Sequence, residues 1–219
     1  MYKACIFDLD GTLLNTLPTI AYYSNKALKK FGFHEITIDQ CQSICRLSFK
    51  DYYETLLLYG GCPQEAVEKF RDDIGRYDRE IYIKDSLYLT EPFIGIPQII
   101  ENLKKKDIKL AVLTNKPDQL AQSVVAATFG NLFDLCIGYT GMNFSKPDPR
   151  TLWNLINQLS LPKEECLYVG DTDIDIITAN NAEVFSIAVT WGYQAVETLK
   201  ACKPGAIISS PKEILSYFK

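Results

Sequence analysis

The strongest limit on the fold of this chain comes from short apolar runs that are almost uninterrupted rather than alternating. They read "ACIF" (4–7), "IKLAVL" (108–113), "LFDLCIGY" (132–139), "CLYVG" (166–170), "VFSIAV" (184–189) and "GAII" (205–208). A strand with one wet face alternates between apolar and polar residues. A continuous run suits a strand buried on both faces, as in a parallel sheet covered by helices. Helical patterns separate the later runs. "IPQIIENLKKK" starts after Gly95, "PDQLAQSVVAATF" starts with Pro117 in its first turn, and "DPRTLWNLINQL" follows Pro147. "SSPKEILSYF" closes the pattern as a helix capped by Ser209 or Ser210. Strand, helix, strand, repeated, predicts a doubly wound, mainly parallel α/β sheet.

Residues 16–86 contain no such run. "TIAYYSNKALKKF" places Ile20, Tyr23, Ala27, Leu28 and Phe31 on one helical face, and "PQEAVEKFRDDIGRYDREIYI" does the same with Val67, Phe70, Ile74, Tyr77 and Ile81. Asp39 is the expected cap of a further helix before "QCQSICRL". The expectation is an all-helical domain, 16–86, inserted in an α/β domain made of 1–15 and 87–219, with hinges near 13–17 and 86–94.

Composition narrows the partners. The 219 residues are 47% hydrophobic, enough for a sizeable core, and the net charge is -4, which argues against nucleic acid or an anionic membrane as partner. No apolar stretch approaches the roughly 18 residues of a membrane helix, and the N-terminus reaches Asp8 too soon for a signal peptide. A cytoplasmic monomer is expected. The seven cysteines are scattered and read as free thiols; Cys41 and Cys45 lie one helical turn apart, but the single histidine, His34, leaves no zinc set.

The polar residues at the strand ends carry the chemistry. The first run ends in Asp8, the second in Thr114 and Asn115, and the fourth in Asp171; Lys146 stands in "FSKPDP" beyond the third. In a parallel sheet these ends share one edge, where open α/β folds bind ligands. Gathered aspartates repel, and burial raises their pKa values. A hard divalent cation relieves this, and Mg²⁺ favours one or two carboxylates together with a phosphate oxygen. With the Lys146 ammonium and the Thr114 hydroxyl added, the set suits a phosphoryl group. Two other motifs fail. "DTDID" has Asp171, Asp173 and Asp175 at calcium-loop spacing, but Ile176 and Ala182 stand where that loop needs Gly and Glu. No P-loop or strand-anchored dinucleotide fingerprint is present.

Together, "DLDGT" (8–12), "TN" (114–115), "KPDP" (146–149) and "GDTDID" (170–175) resemble the four motifs of the haloacid dehalogenase-like hydrolases. "FIGIPQIIENLKKKDIKLAVLTNKP" is similar to the phosphoglycolate phosphatase and β-phosphoglucomutase-like branch. The resemblance implies a Rossmann-like sheet with the helical insert as its cap domain, and a Mg²⁺-dependent phosphatase of small phosphate monoesters. Asp8 would be the nucleophile, forming an aspartyl-phosphate, and Asp10 the acid/base. Mg²⁺ would be held by Asp8, Asp171 and the backbone of Asp10, with Asp175 behind it holding metal-bound water or Lys146. Thr114, Asn115 and Lys146 would bind the phosphoryl group. An acid/base Asp10 favours phosphate-ester chemistry, since a halide leaves without a proton. Arg46 and Lys50, in what reads as the cap loop "CRLSFKDYYETL", are candidates to meet an anionic substrate.

Phosphomutase and pyrophosphatase remain alternatives within the resemblance, and a phospho-accepting receiver or a retired regulatory module outside enzymology. Gly11 is expected to permit the tight turn after the two aspartates, and Thr12 to tie it locally. Asn15 stands where relatives carry an aspartate, at the entrance to the cap.

Overall fold

The computed structural model describes residues 1–218. The chain opens with β1 (Ala4–Phe7) and a short β2 (Leu14–Asn15), then runs through α1 (Leu17–Lys30), α2 (Ile38–Ile44), α3 (Phe49–Tyr59) and α4 (Val67–Lys84) to β3 (Glu91–Pro92). From there helix and strand alternate: α5 (Ile96–Lys105), β4 (Lys109–Pro117), α6 (Asp118–Phe129), β5 (Leu135–Tyr139), α7 (Arg150–Leu159), β6 (Cys166–Gly170), α8 (Asp173–Ala182), β7 (Phe185–Val189), α9 (Val196–Ala201) and β8 (Ala206–Ile208). Among the described residues, six strands form one sheet in the order β5-β4-β1-β6-β7-β8, and each adjacent pair is parallel. The chain divides into two compact units, Met1–Asn15 with Pro92–Lys219, and Thr16–Glu91. No helix among the described residues is long and apolar enough to cross a membrane.

The strand order makes the sheet doubly wound. From β1 the chain moves outward to β4 and β5, then returns to β6 on the other side of β1 and continues to β7 and β8. Right-handed crossovers in opposite directions put their helices on opposite faces. One face is a core in which Ala4, Ile6, Ala111, Leu113, Cys166 and Tyr168 pack against Leu152, Leu155, Ile156 and Ala179 of α7 and α8. The alternate residues Cys5, Phe7, Leu110, Val112, Leu167 and Val169 are equally buried. That two-sided burial is why these strands read as continuous apolar runs.

β4 is longer than its apolar run, and its end is irregular. Its pairing with β5 goes from Leu113 opposite Ile137 directly to Pro117 opposite Tyr139, so residues 114–116 bulge out of the ladder. Gly138 gives this bulge its room: a Cβ there would lie 2.5 Å from Asp118 Cα and 2.7 Å from the Lys116 carbonyl oxygen.

In the helical unit α2 is capped by Thr37 rather than Asp39. The Thr37 side chain accepts from the Gln40 backbone and the Gln40 side chain accepts from the Thr37 backbone, a reciprocal box that Asp39 cannot make from inside the helix. The segment read as a cap loop is mostly helix α3. Ser48 caps it against Asp51, and Tyr52, Tyr53, Leu56 and Leu57 form its buried face. The C-terminal segment Pro211–Tyr217 is a 3₁₀ helix, with Ser210 and Glu213 as its capping box.

Gly138→Ala is expected to lower stability by about 1–3 kcal/mol, the usual cost of overpacking a site that has no room to give. Thermal unfolding of wild type and variant measures it; an unchanged Tm would show that the bulge tolerates a methyl group.

Candidate active site

β1 lies at the switch point of the sheet, between β4 and β6, and its carboxyl end receives side chains from all three strands. Asp8 follows β1 directly, is buried, and donates its backbone N–H to the Val169 carbonyl at 2.9 Å. Asp171 follows β6 and is fully buried. Gly11, at φ 90°, makes the turn after the two aspartates, and a Cβ there would lie 2.3 Å from Asp171 Oδ2. Only glycine satisfies both the backbone angle and this approach. Thr12 does not tie the turn locally as expected. The turn aims its hydroxyl across the sheet, where it donates to Asp171 Oδ1 at 2.8 Å, while the Tyr193 N–H donates to Oδ2 at 2.8 Å.

Lys146 is the hub of the buried polar cluster. Its ammonium donates to Asp8 Oδ1 at 2.7 Å, to Asp175 Oδ1 at 2.6 Å and to the Tyr168 hydroxyl at 3.1 Å. Asp175 belongs to the capping box that starts α8: its Oδ2 accepts from the Thr172 N–H at 3.0 Å and from the Thr172 hydroxyl at 2.6 Å. Asn115 spends its side chain on the Lys146 backbone, accepting from its N–H at 2.8 Å and donating to its carbonyl at 3.0 Å. Thr114 is buried, and its hydroxyl accepts the Lys116 N–H at 3.2 Å. The Asp10 carboxylate turns to a second lysine, Lys116, whose ammonium lies 3.0 Å from Oδ1 and 3.3 Å from Oδ2.

Asp8, Thr114, Asn115, Lys146, Asp171 and Asp175 are thus gathered by the sheet edge, with Asp10 beside them. Arg46 and Lys50 belong to the helical unit. Arg46 follows α2 and is exposed; Lys50 is exposed in the first turn of α3, 3.8 Å from Glu54. Asn15 is the exposed last residue of β2. The sequence reading passed over Lys116 and Tyr168. Lys116 stands two residues after Thr114 in the same "TNKP" stretch, where a turn was expected. Tyr168 read as one more apolar strand residue, and only its hydroxyl sets it apart.

Burial and crowding set the electrostatics. Burial pushes the Asp8 carboxyl up; Lys146 opposes this, Asp175 and Asp10 add to it, and the result is about 7. Burial likewise holds Asp171 well above the carboxylate range, reinforced by Asp175 and Asp8 and only partly countered by the Tyr193 and Thr12 hydrogen bonds. Burial alone would pull Lys146 down, but Asp175 and Asp8 outweigh it and keep the ammonium charged. One oxygen each from Asp8, Asp171 and Asp175 lie within 4.8 Å of one another. An all-carboxylate donor set with too little positive charge nearby fits a hard divalent cation, which would remove the penalty that burial places on Asp8 and Asp171.

A carboxyl with a raised folded pKa binds its proton more tightly in the folded chain. Its stabilising contribution is full at low pH and declines as pH climbs to the folded value. For cation-free protein, the Asp8 contribution to stability is expected to fall as pH rises from 3.8 to about 7, and the Asp171 contribution to fall in the same direction as pH rises above the ordinary carboxylate range. Mg²⁺ added at neutral pH at a hundredfold excess over its dissociation constant should restore about 2.7 kcal/mol, roughly 5–10 °C in Tm. Melting curves with EDTA and with Mg²⁺ across this range test it. Asp171→Asn should lose most of the Mg²⁺ response.

Comparison with known proteins places this geometry. The family described as haloacid dehalogenase-like hydrolase matches residues 5–189, a span that holds Asp8, Asp10, Thr114, Lys146, Asp171 and Asp175. A phosphoglycolate phosphatase of Aquifex aeolicus (strain VF5) is 29% identical over 214 residues, 97% of this chain and 95% of its own length. One from Rhodobacter capsulatus is 30% identical over 200 residues, 89% of this chain and 87% of its own. The crystal structure of a predicted phosphoglycolate phosphatase from Haemophilus somnus 129pt matches with a TM-score of 0.91 at 26% identity, covering 100% of this chain and 98% of that one. With its four motifs brought to one sheet edge, the chain belongs to the haloacid dehalogenase-like hydrolase family and is an enzyme of that family.

Proposed function

We propose that this hydrolase is a Mg²⁺-dependent phosphatase that cleaves a small phosphate monoester of the phosphoglycolate type through an aspartyl-phosphate. The observation that carries the reading is the buried cluster of Asp8, Asp171 and Asp175, in which the Lys146 ammonium bridges Asp8 and Asp175 and leaves Asp171 without a cation among the described residues. The relatives named phosphoglycolate phosphatase, similar along nearly their whole length, support the substrate class.

In this reading an Asp8 carboxylate oxygen attacks phosphorus in line with the ester oxygen. The phosphorus–oxygen bond to the alcohol breaks, and Asp10 gives its proton to the departing alkoxide. Asp10, now a carboxylate, takes a proton from the water that attacks the aspartyl-phosphate. Inorganic phosphate leaves and Asp8 is regenerated. Lys146 and the Thr114 hydroxyl neutralise and orient the phosphoryl oxygens, with Asn115 fixing the backbone from which Lys146 projects. Asp8, Asp171 and the backbone carbonyl of Asp10 would hold Mg²⁺, which supplies charge neutralisation to the transferring group. Asp175 keeps Lys146 in place. The helical segment 16–86 serves as the cap that selects substrates, with Arg46 and Lys50 as its candidate cations.

A phosphate-release screen with Mg²⁺ over 2-phosphoglycolate, pyrophosphate, nucleoside monophosphates and sugar phosphates tests the assignment. 2-Phosphoglycolate is expected to rank first. Asp8→Asn should reduce phosphate release at least about a thousandfold, as loss of a covalent nucleophile does. Substantial turnover by that variant would exclude Asp8 as nucleophile, and isomerised sugar phosphate in place of free phosphate would identify a mutase.

A further inference from the structure

The buried Lys116 lies outside the phosphoryl-binding set described above, yet the fold goes to some length to deliver it. An ammonium loses much of its hydration on burial, and its side chain is only 4% exposed. It sits in the bulge of residues 114–116, which breaks the β4–β5 ladder and depends on the bare backbone of Gly138 opposite. Bulges beside active sites commonly re-aim a side chain, and this one puts Thr114 and Lys116, two residues apart, at the same edge. There the ammonium donates to both oxygens of Asp10, at 3.0 and 3.3 Å, while Lys146 serves Asp8 and Asp175. Each aspartate of the "DLD" stretch therefore has its own lysine.

We propose that Lys116 is a positioning residue for proton transfer: its ammonium fixes the Asp10 carboxylate in the orientation from which it serves the leaving-group oxygen. The inference rests on the proposed role of Asp10. A carboxylate has about four acceptor directions, so a cation held on one side of both oxygens leaves the others for a proton and the ester oxygen. Asp10 is 20% exposed in its side chain, so an ion pair to a buried ammonium limits the orientations its carboxylate can take. Loose placement of an acid by about 1 Å costs on the order of a hundredfold in rate.

The test uses three esters whose leaving groups differ in their need for a proton. 2-Phosphoglycolate and ethyl phosphate release poor alkoxides; p-nitrophenyl phosphate releases a stable phenolate that departs unprotonated. The quantity is kcat/KM, which reports the steps up to formation of the aspartyl-phosphate. Lys116→Met is expected to lower it about 30–100-fold for both alkyl esters and less than about threefold for p-nitrophenyl phosphate. In an Asp10→Asn background, adding Lys116→Met should cost nothing further on the alkyl esters, because Lys116 acts through Asp10. That double variant also removes both charges, so it guards against a loss caused by an unpaired buried carboxylate.

An equal fall on all three esters would overturn the proposal in favour of general damage. A fall confined to 2-phosphoglycolate would overturn it in favour of direct contact with the substrate carboxylate. Additive losses in the double variant would also overturn it. Wild-type enzyme inert on all three esters would instead sink the phosphatase reading and this proposal with it, so the two failures are distinguishable.

Discussion

A single buried ammonium organises the catalytic edge of this protein. Lys146 reaches Asp8 after β1, Asp175 on α8 and Tyr168 in β6, so one cation ties the first strand to the consecutive β6 and α8, which are distant from it in sequence. Its own backbone is fixed by Asn115 in the bulge of a third strand, β4. Removing one partner from such a network leaves an uncompensated buried charge, which costs more than the interaction gains when intact. The Tyr168 hydroxyl also lies 3.2 Å from the Leu113 carbonyl, just before Thr114. The network thus couples the positions of Asp8, Thr114 and Lys146, the groups that the proposed chemistry needs in register.

The network does not balance its charges. Among the described residues, Asp171 makes no ion pair with Lys146 and takes only neutral donors, Thr12 and the Tyr193 N–H, while burial and two neighbouring carboxylates push its proton affinity up. A fold selected for stability alone would place a second cation there or remove the acid. Retaining a buried carboxylate with hydrogen bonds that fix its orientation, yet with no lysine or arginine paired to it among the described residues, is the arrangement expected where an external divalent cation completes the site.

The sheet and its edge were legible in the sequence because parallel strands buried on both faces leave continuous runs. The residue after each run then has only one place to go. Asp8, Thr114 and Asp171 follow from that rule, and Lys146 from standing between a strand and a helix. Lys116 did not follow, because a regular strand would have ended before it; the bulge that carries it depends on Gly138 in the neighbouring strand, a tertiary contact. Thr12 escaped for a similar reason, since its partner lies 159 residues away and is met only through the Gly11 turn. The cap of α2 was a different case. Thr37 with Gln40 three residues on is a legible capping box, and its reciprocal bond is what decides between Thr37 and Asp39, two competent cap residues.

The spacing of Asp8 and Asp10 makes physical sense in this light. Two carboxylates one residue apart at the end of a strand would share a field and a proton if they faced the same surroundings. Here the Leu9 side chain between them is fully buried and the turn at Gly11 begins at once, so the two aspartates meet different neighbours. Asp8 is enclosed with Lys146, Asp175 and Asp171; Asp10 is partly exposed against Lys116. Distinct environments are what allow two identical side chains to take unlike roles, one bonding phosphorus and the other moving protons. The separation is built from backbone features, a glycine turn after β1 and a bulge in β4, more than from the aspartates themselves. Substitutions at Gly11 or Gly138 therefore bear on the division of labour even though neither residue has a side chain to take part in it.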